Sequence, residues 1–202
     1  MADIAAQDVK ALRERTGAAM MDCKTALQEA GGDMDKAIEI LRVKGQAQAA
    51  KRGGKAATEG QVASYIHAGG RIGVLVEVDC ETDFVARTEP FQAFAREVAL
   101  HVAAAAPLYV SEDDIPEADR ERELRILTEQ AATDDKPPEV QQKIAEGRLR
   151  KWLDGVVLLN QKHVNEDKHG GKTLEELRGE LAASTGENVV VRRFIRLQVG
   201  EE

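Results

Sequence analysis

The stretch RIGVLVEVDCETDFVAR, residues 71–87, decides the fold of this 202-residue chain. Its first half alternates in hydrophobicity, with apolar residues at every second position: Ile72, Val74, Val76, Val78 and Cys80. The residues between them make up the other face: Leu75, Glu77, Asp79 and Glu81. Because successive side chains of a strand point to opposite faces, this period predicts a β-strand with one buried face.

The alternation stops at Thr82–Val85, where the strand is expected to end. Either Thr82 or Asp83 can cap a helical turn there by accepting a hydrogen bond from a backbone N–H. Phe84 follows, in a chain with only four Phe, two Tyr and one Trp. Two interpretations of Phe84 stay open: the ring anchors the next segment to the core, or it is an apolar wedge presented to a partner.

The composition limits the possible classes of function. Hydrophobic residues make up 43% of the chain and aromatic residues only 3%, so the core must be mainly aliphatic. The formal net charge of −8 argues against DNA or RNA as the principal ligand, because phosphate binding relies on an excess of Lys and Arg. No apolar run approaches the roughly 20 residues that span a membrane, and residues 1–10 do not resemble a signal peptide. We therefore expect a cytoplasmic protein without membrane association.

The N-terminal quarter predicts a small helical domain. Residues 5–43 show three short helical patterns, with Gly17 closing the first, Asp22 capping the second and Asp33 capping the third. A Gly/Ala-rich segment follows at residues 44–60, with a run of basic residues at Lys44, Lys51, Arg52 and Lys55. It is either a partly helical, solvated linker or a basic patch for an acidic partner surface or ribosomal RNA. We place the N-terminal domain and this basic linker at residues 1–54.

The remaining residues, 55–202, predict an antiparallel α+β domain. A strand at 61–67 forms a hairpin with the strand described above. Helices are expected over residues 88–106, 139–161 and 173–183, and another follows a cap-like start at 111–114 and Pro116 and runs to about 132. A last strand is expected over 188–199. On that strand, one face carries Val189, Val191, Ile195, Leu197 and Val199, and the other carries Arg192 and Arg196.

Motifs for enzymatic chemistry are missing from the sequence. There is no Gly-x4-Gly-Lys-Ser/Thr loop and no Gly-x-Gly-x-x-Gly, so direct nucleotide binding is unsupported. The four histidines are scattered, and the two thiols, Cys23 and Cys80, have no metal-ligand spacing. A Cys80–His67 catalytic pair across adjacent strands has little support. We expect no bond-breaking activity, no metal and no cofactor.

Two motifs carry a family resemblance. LRERTGAAMMDCKTAL at residues 12–27 and EVDCETDFVAR at 77–87 closely resemble the two signature stretches of bacterial translation elongation factor Ts. The likeness continues at residues 146–152, 157–159 and 186–188. The chain departs from the family pattern at Ala19, where Gly is usual, and at Asp79, where Asn is usual. It also has Gln-Lys-His-Val at 161–164, where Gln-Pro-Phe-Val is common.

The resemblance implies a guanine-nucleotide exchange factor for the GTPase elongation factor Tu. The N-terminal bundle would have a ubiquitin-associated fold and dock on the GTPase through Arg13, Met20, Met21 and Lys24 or their neighbours. The exchange tip, defined as Thr82, Asp83, Phe84 and Val85, would disturb the partner's magnesium site, with Phe84 as wedge and Asp83 as its polar partner. Loss of magnesium and distortion of the phosphate loop would then release GDP.

The resemblance also implies a second contact and an oligomeric state. Longer family members have two related core halves, one bearing the tip and the other a Tyr-x-His hairpin followed by Arg-Ile-Gly. This chain has Tyr65, His67 and Arg71–Gly73 on the same core as the tip. A single copy cannot readily place both elements on one partner, so we expect a homodimer in which the tip of one protomer and His67 of the other contact the same GTPase. Gly186 is assigned with His67 to this second contact. The alternatives are an adaptor or chaperone module that leaves the nucleotide state unchanged, and a small hydrolase.

Overall fold

The computed structural model describes residues 4–133 and 137–201. Within them the helices are α1 (Ala6–Thr16), α2 (Met20–Glu29), α3 (Met34–Arg52), α4 (Asp83–Ala86), α5 (Glu89–Ala105), α6 (Glu117–Ala132), α7 (Pro138–Val156), α8 (Glu166–His169) and α9 (Leu174–Thr185). The strands β1 (Glu59–Ile66), β2 (Ile72–Cys80) and β3 (Val190–Gln198) form one antiparallel sheet in the order β1-β2-β3. The predicted α+β class is confirmed. Residues 1–3 and 202, which fall in the two predicted domains, lie outside the described residues.

The described residues form two compact units. The first contains the chain up to Ala63, Glu77–Arg96 and Glu176–Val191. The second contains Ser64–Val76, the described part of 97–175, and the chain from Arg192 onward. Each strand of the sheet contributes residues to both units, and the exchange tip belongs to the first unit.

In the first unit, α1, α2 and α3 pack around a small aliphatic core of Val9, Leu12, Cys23, Ala26, Leu27 and Ala37. The predicted three-helix bundle is confirmed. Gly17 ends α1 in a left-handed conformation with φ 68°, and Asp33 Oδ1 accepts the backbone N–H groups of Asp35 and Lys36 at the start of α3.

Two details of the bundle differ from the prediction. Asp22 is not the N-cap of α2, because the helix already begins at Met20 and the Cys23 N–H bonds the Ala19 carbonyl. The third helix does not end near residue 43 but continues to Arg52, into the segment that one interpretation described as a partly helical linker. Apart from Gly45, that segment is rich in Ala, Gln and Lys, which favour helix, and consecutive glycines follow only at 53 and 54.

The hairpin β1–β2 follows the predicted alternation, and Val74, Val76, Val78 and Cys80 are all buried. Asp79 is buried as well, although the alternation placed it on the opposite face. The strand β3 differs more. Val189 and Val191 are buried, whereas Ile195, Leu197 and Val199 on the same predicted face are exposed. A period-two pattern identifies side chains that share a face, but not whether another element covers that face.

The second unit contains the paired helices α6 and α7. The helix α7 ends at Val156, five residues earlier than predicted, because Val157 is extended and forms a parallel bridge to Tyr109. A 3-10 turn at Leu158–Asn160 follows, and the short α8, which the sequence did not predict, is capped by the Asn165 side chain. Among the described residues, no helix is both long and apolar enough to cross a membrane.

Candidate functional site

The exchange tip is a single helical turn directly after β2. Thr82 is the N-cap of α4, and its Oγ1 accepts the Val85 N–H at 3.4 Å. This confirms Thr82, one of the two predicted caps. Asp83 Oδ2 lies 2.8 Å from an Arg87 guanidinium nitrogen, one turn away along the helix. Both of these contacts are short-range along the chain, and neither uses the Phe84 side chain.

Phe84 is the most exposed large apolar side chain among the described residues, with 79% of its surface accessible. Ala86, two residues later, is buried and joins the turn to the core. The ring therefore does not anchor the segment, which removes one of the two interpretations that the sequence left open. An exposed aromatic ring on an ordered turn is typical of a residue that a partner's pocket receives.

A carboxylate that is distant along the chain, Glu187, holds the base of the tip. Glu187 Oε2 accepts the backbone N–H groups of Glu81 and Thr82, both at 3.0 Å. Glu187 Oε1 accepts the Thr82 hydroxyl at 2.6 Å. One side chain thus satisfies two consecutive main-chain donors and the N-cap residue. Hydrogen bonds to an ionised acceptor are stronger than neutral ones.

Glu81 makes the reciprocal contact. Its Oε1 accepts the Asn188 N–H at 2.7 Å, and its Oε2 lies 3.2 Å from the Lys55 ammonium. The Asn188 side-chain amide donates to the Lys55 carbonyl at 2.8 Å. We call these four residues, Lys55, Glu81, Glu187 and Asn188, the carboxylate lock. It joins three chain segments at the base of the exchange tip.

Cys80 lies beside the lock and is buried. Burial, reinforced by the negative charge of Glu187, raises the pKa of the Cys80 thiol to about 11. The thiol donates to the Thr82 carbonyl at 3.1 Å. At neutral pH the group is therefore a protonated hydrogen-bond donor with little nucleophilic character.

The four residues predicted for the N-terminal contact are all exposed. Arg13 lies in the last turn of α1, and Met20, Met21 and Lys24 lie in the first half of α2. Met20 and Met21 are 53% and 69% accessible. Met20 and Lys24 are one turn apart, so α2 presents an apolar and a cationic group on one face.

The two residues predicted for a second contact have local roles. His67 is exposed at the end of β1, and its Nδ1 lies 3.1 Å from the Tyr65 hydroxyl. Gly186 has φ 73° and ends α9 by donating its N–H to the Ala182 carbonyl. That left-handed turn, which an L side chain rarely adopts, leads directly into Glu187 of the lock.

Comparison with known proteins places these features in a family. The family model described as "Elongation factor TS" matches residues 2–170. The chain belongs to the elongation factor Ts family. Elongation factor Ts of Thermoanaerobacter sp. (strain X514) is 54% identical over 198 residues, which cover 98% of this chain and 96% of that protein. The Moorella thermoacetica protein is 56% identical over the same shares. The Anaeromyxobacter sp. (strain Fw109-5) protein is 54% identical over all of this chain and 90% of its own length.

Membership of the elongation factor Ts family confirms the resemblance drawn from residues 12–27 and 77–87. The resemblance did not predict the carboxylate lock. Glu187 and Asn188 belong to a stretch that resembles the family, but Lys55 and Glu81 lie far from them along the chain. Only the fold brings these four side chains together, so no local sequence signal could have indicated their shared role.

A second polar cluster in this elongation factor Ts family member was also missed. Three of the four histidines, scattered in sequence, cluster in the second unit, and two of them contact the carboxylate of Glu97. Glu97 Oε2 lies 3.2 Å from His163 Nε2 and 3.4 Å from His169 Nε2, and Glu97 Oε1 accepts the Lys168 ammonium. His101 lies next to His163, with ring centroids 5.4 Å apart.

Glu97, His163 and His169 have the donor types of a metal site, with ligand atoms within 4.8 Å of one another. The hydrogen bonds favour a different arrangement. His163 Nδ1 accepts the Asn165 N–H at 3.0 Å, so the ring proton lies on Nε2, the atom that a metal would need. Lys168 adds a positive charge at the same carboxylate. The geometry thus fits a proton-bearing network better than a metal centre.

The electrostatics of this cluster favour neutral imidazoles. Burial lowers the pKa values of both His101 and His163 below the ordinary 6.5, and the neighbouring His169 lowers that of His163 further. Burial alone would raise the pKa of Glu97, but the hydrogen bond and charge of Lys168 lower it overall. His101 Nδ1 accepts the Val164 N–H at 3.1 Å, as His163 does for Asn165, so both rings hold the main chain only while neutral.

Proposed function

We propose that this chain is a guanine-nucleotide exchange factor that binds the GDP form of elongation factor Tu and promotes GDP release during translation elongation in the cytoplasm. The observation that carries the proposal is the exposed Phe84 ring on an ordered turn, in a chain of the elongation factor Ts family. In this proposal the chain neither breaks bonds nor binds the nucleotide itself.

The exchange tip acts on the partner's metal site. Phe84 enters an apolar crevice beside the magnesium ion, and Asp83, held by Arg87, fixes the turn that presents it. Burying a Phe ring contributes roughly 1.5–3 kcal/mol to such a contact. Because a ligand shifts an equilibrium only through its preference for one state, this contact must be stronger with the nucleotide-free GTPase than with the GDP-bound one. By linkage, GDP then weakens the binding of the exchange factor by the same factor.

The N-terminal contact comes from the N-terminal domain, residues 1–54, which has a ubiquitin-associated-like fold. Arg13, Met20, Met21 and Lys24 would dock on the nucleotide domain of the GTPase. The exposed methionines support this assignment, since flexible thioether side chains adapt to a partner's surface. Residues 55–202 form the core and dimerisation domain.

The test is the release of fluorescent GDP from purified elongation factor Tu. We expect the full chain to accelerate release and Phe84→Ala to slow the accelerated rate at least about tenfold, since the ring acts in the exchange step. Leu108→Ala is the matched control, because it removes another exposed apolar side chain (66% accessible), in the second unit. Unchanged thermal unfolding would show that both variants fold.

Three results are informative. Binding to elongation factor Tu without faster GDP release would support the adaptor alternative. Acceleration that Phe84→Ala leaves intact would remove the ring from its role. Equal losses in Phe84→Ala and Leu108→Ala would show that the assay responds to general surface changes and would also count against the tip.

We also propose that the active form is a homodimer, with the tip of one protomer and His67, together with Gly186, of the other contacting the same GTPase. Support comes from the outer face of the sheet within the second unit. Its apolar side chains are at least half accessible: Ile66 (66%), Leu75 (50%), Ile195 (58%), Leu197 (69%) and Val199 (57%). Exposed apolar side chains concentrated on and beside one sheet are typical of an association site, and a second copy of the sheet offers the same side chains.

Sedimentation of the full chain at micromolar concentration tests the dimer. We expect a dimer, and we expect Leu197→Lys to yield monomers, because it places a charge within the apolar face. Leu108→Lys is the control, since it adds the same charge to another exposed leucine. A monomeric unmodified chain with full exchange activity would overturn the shared-contact arrangement while leaving the role of Phe84 intact.

A further inference from the structure

We propose that Glu187 is a positioning residue for the exchange tip: its carboxylate, by binding the Glu81 and Thr82 amides and the Thr82 hydroxyl, holds Phe84 in the orientation that exchange requires. The inference rests on the proposed function and adds a residue outside the tip to it. Glu187 is separated from Thr82 by 105 positions along the chain.

The first argument is the weakness of the tip on its own. The helix α4 has only four residues, and a helix of one turn is not stable in isolation. Its N-cap, Thr82, offers Val85 a long hydrogen bond of 3.4 Å. The orientation of Phe84 therefore depends on what fixes Thr82, and the shortest side-chain contact of Thr82 is the 2.6 Å bond to Glu187.

The second argument is how firmly Glu187 itself is placed. Gly186 ends α9 with a left-handed residue, so Glu187 follows directly from a helix end. The next residue, Asn188, is buried and is held by Glu81 and by the Lys55 carbonyl. Each of the two glutamates accepts main-chain N–H groups from the segment that carries the other. Reciprocal contacts of this kind resist movement of either segment alone.

The third argument concerns the type of work the tip does. A side chain that displaces part of a partner must keep its position against the free-energy cost of distorting that partner. If its base gives way, the partner can still bind, but the ring no longer reaches the position that favours the nucleotide-free state. Loosening the lock should therefore lower the saturating rate of GDP release more than it raises the half-saturating concentration of the factor.

The experiment compares three variants of the full chain. Glu187→Ala removes the acceptor. Glu187→Gln keeps one carbonyl oxygen for the Glu81 and Thr82 amides while removing the charge. Glu129→Ala is the control, because it removes an exposed glutamate from α6, outside the first unit. Hydrogen exchange of the Glu81 and Thr82 amides reports the lock directly, and fluorescent GDP release gives the saturating rate and the half-saturating concentration.

We expect Glu187→Ala to speed exchange of these two amides at least about tenfold while bundle amides stay protected, because their acceptor is lost. The saturating release rate should fall on the order of tenfold, with partial recovery in Glu187→Gln and no change in Glu129→Ala. Combining Glu187→Ala with Phe84→Ala should add little to the loss from Phe84→Ala alone, because both changes act through the same ring.

The outcomes separate this inference from the proposed function. If Phe84→Ala slows release but Glu187→Ala, with its two amides deprotected, does not, the positioning role is wrong and the function stands. If the losses from Glu187→Ala and Phe84→Ala multiply in the double variant, Glu187 acts independently of the ring and the inference also fails. If Phe84→Ala itself leaves release unchanged, the proposed function of the tip fails first.

Discussion

The base of the exchange tip and the segment 161–165 both have backbone N–H groups that need acceptors outside helices and strands. The two regions supply those acceptors from different side chains. Both are irregular stretches in which two consecutive N–H groups bond to side chains. At the tip, Glu187 accepts from Glu81 and Thr82. In the second unit, His101 accepts from Val164, and His163 accepts from Asn165.

The difference lies in how each acceptor responds to protons. A carboxyl group keeps an oxygen that accepts hydrogen bonds even when it is protonated, whereas an imidazole loses its accepting lone pair when it takes up a proton, near pH 6.5 for an ordinary histidine. Burial lowers the pKa values of His101 and His163 and so protects both acceptors, but only by keeping the rings away from water. The base of the tip is therefore held by an acceptor that protonation does not abolish, while the segment 161–165 is held by two rings that accept only while they are neutral.

The largest effect that we expect concerns the Cys80 thiol. Its reactivity reports how well the base of the tip is shielded from solvent. With its pKa raised from 9.0 to about 11, the thiolate population near pH 8 should be about 100-fold below that of an ordinary cysteine. Alkylation by iodoacetamide should be slower by at least that factor, because the thiol is also buried. Peptide mass spectrometry distinguishes Cys80 from Cys23.

Removing the charge of Glu187 provides the internal comparison for this measurement. Since that charge contributes to the raised pKa, Glu187→Ala should speed Cys80 alkylation and leave Cys23 unchanged. If Cys80 in the unmodified chain is alkylated as fast as a free cysteine, the contacts of the carboxylate lock do not shield it, and the arrangement is contradicted.

The next effect tests the titratable side of the comparison. His101 and His163 have lower pKa values in the folded state than the ordinary 6.5, so below that pH the unfolded chain binds more protons. Stability from both rings is thus fully present above pH 6.5 and is lost as the pH falls below it. The free energy of unfolding should fall between pH 7 and 5, by at most about 1.4 kcal/mol per pH unit for each histidine.

Several charged groups face these rings and contribute to the profile. Glu97 from α5 and Lys168 and His169 from α8 surround His163, while Gln161 faces His101. Because the pKa of Glu97 is lowered, its contribution is lost only below about pH 4.5, after that of the histidines.

Urea unfolding at pH 7, 6 and 5 measures the slope. His163→Phe should flatten it, and His67→Gln, which changes an exposed histidine, should not. Equal slopes in the unmodified chain and His163→Phe would show that another group causes the loss.

The sequence predicted what local patterns encode. The alternation from Ile72 to Cys80 located β2, the Thr82 cap located α4, and the residues of the predicted tip are contiguous. The end of α7 was wrong because the bridge from Val157 to Tyr109 depends on a distant segment. The carboxylate lock and the histidine cluster were missed for the same reason, since each joins residues about 60 or more positions apart. The exposure of Ile195 and Leu197 could not be predicted, because periodicity assigns side chains to a face of the sheet without showing whether another element covers that face.

The smallest effect that we expect separates the contribution of the Thr82 hydroxyl from that of the Glu187 carboxylate. The Thr82 hydroxyl donates to Glu187 and accepts from Val85, and it is the only side-chain group that connects the lock to α4 among the hydrogen bonds described for residues 81–85. Thr82→Val keeps the shape and removes the hydroxyl, so it should lower the free energy of unfolding by about 1 kcal/mol, the usual cost of losing a cap. Thr82→Ser retains the hydroxyl and should cost less. If Thr82→Val leaves both the free energy of unfolding and the hydrogen exchange of the Val85 amide unchanged, the two main-chain bonds to Glu187 anchor the tip by themselves. The tip and the segment 161–165 would then differ only in whether a carboxylate or an imidazole accepts the backbone N–H groups.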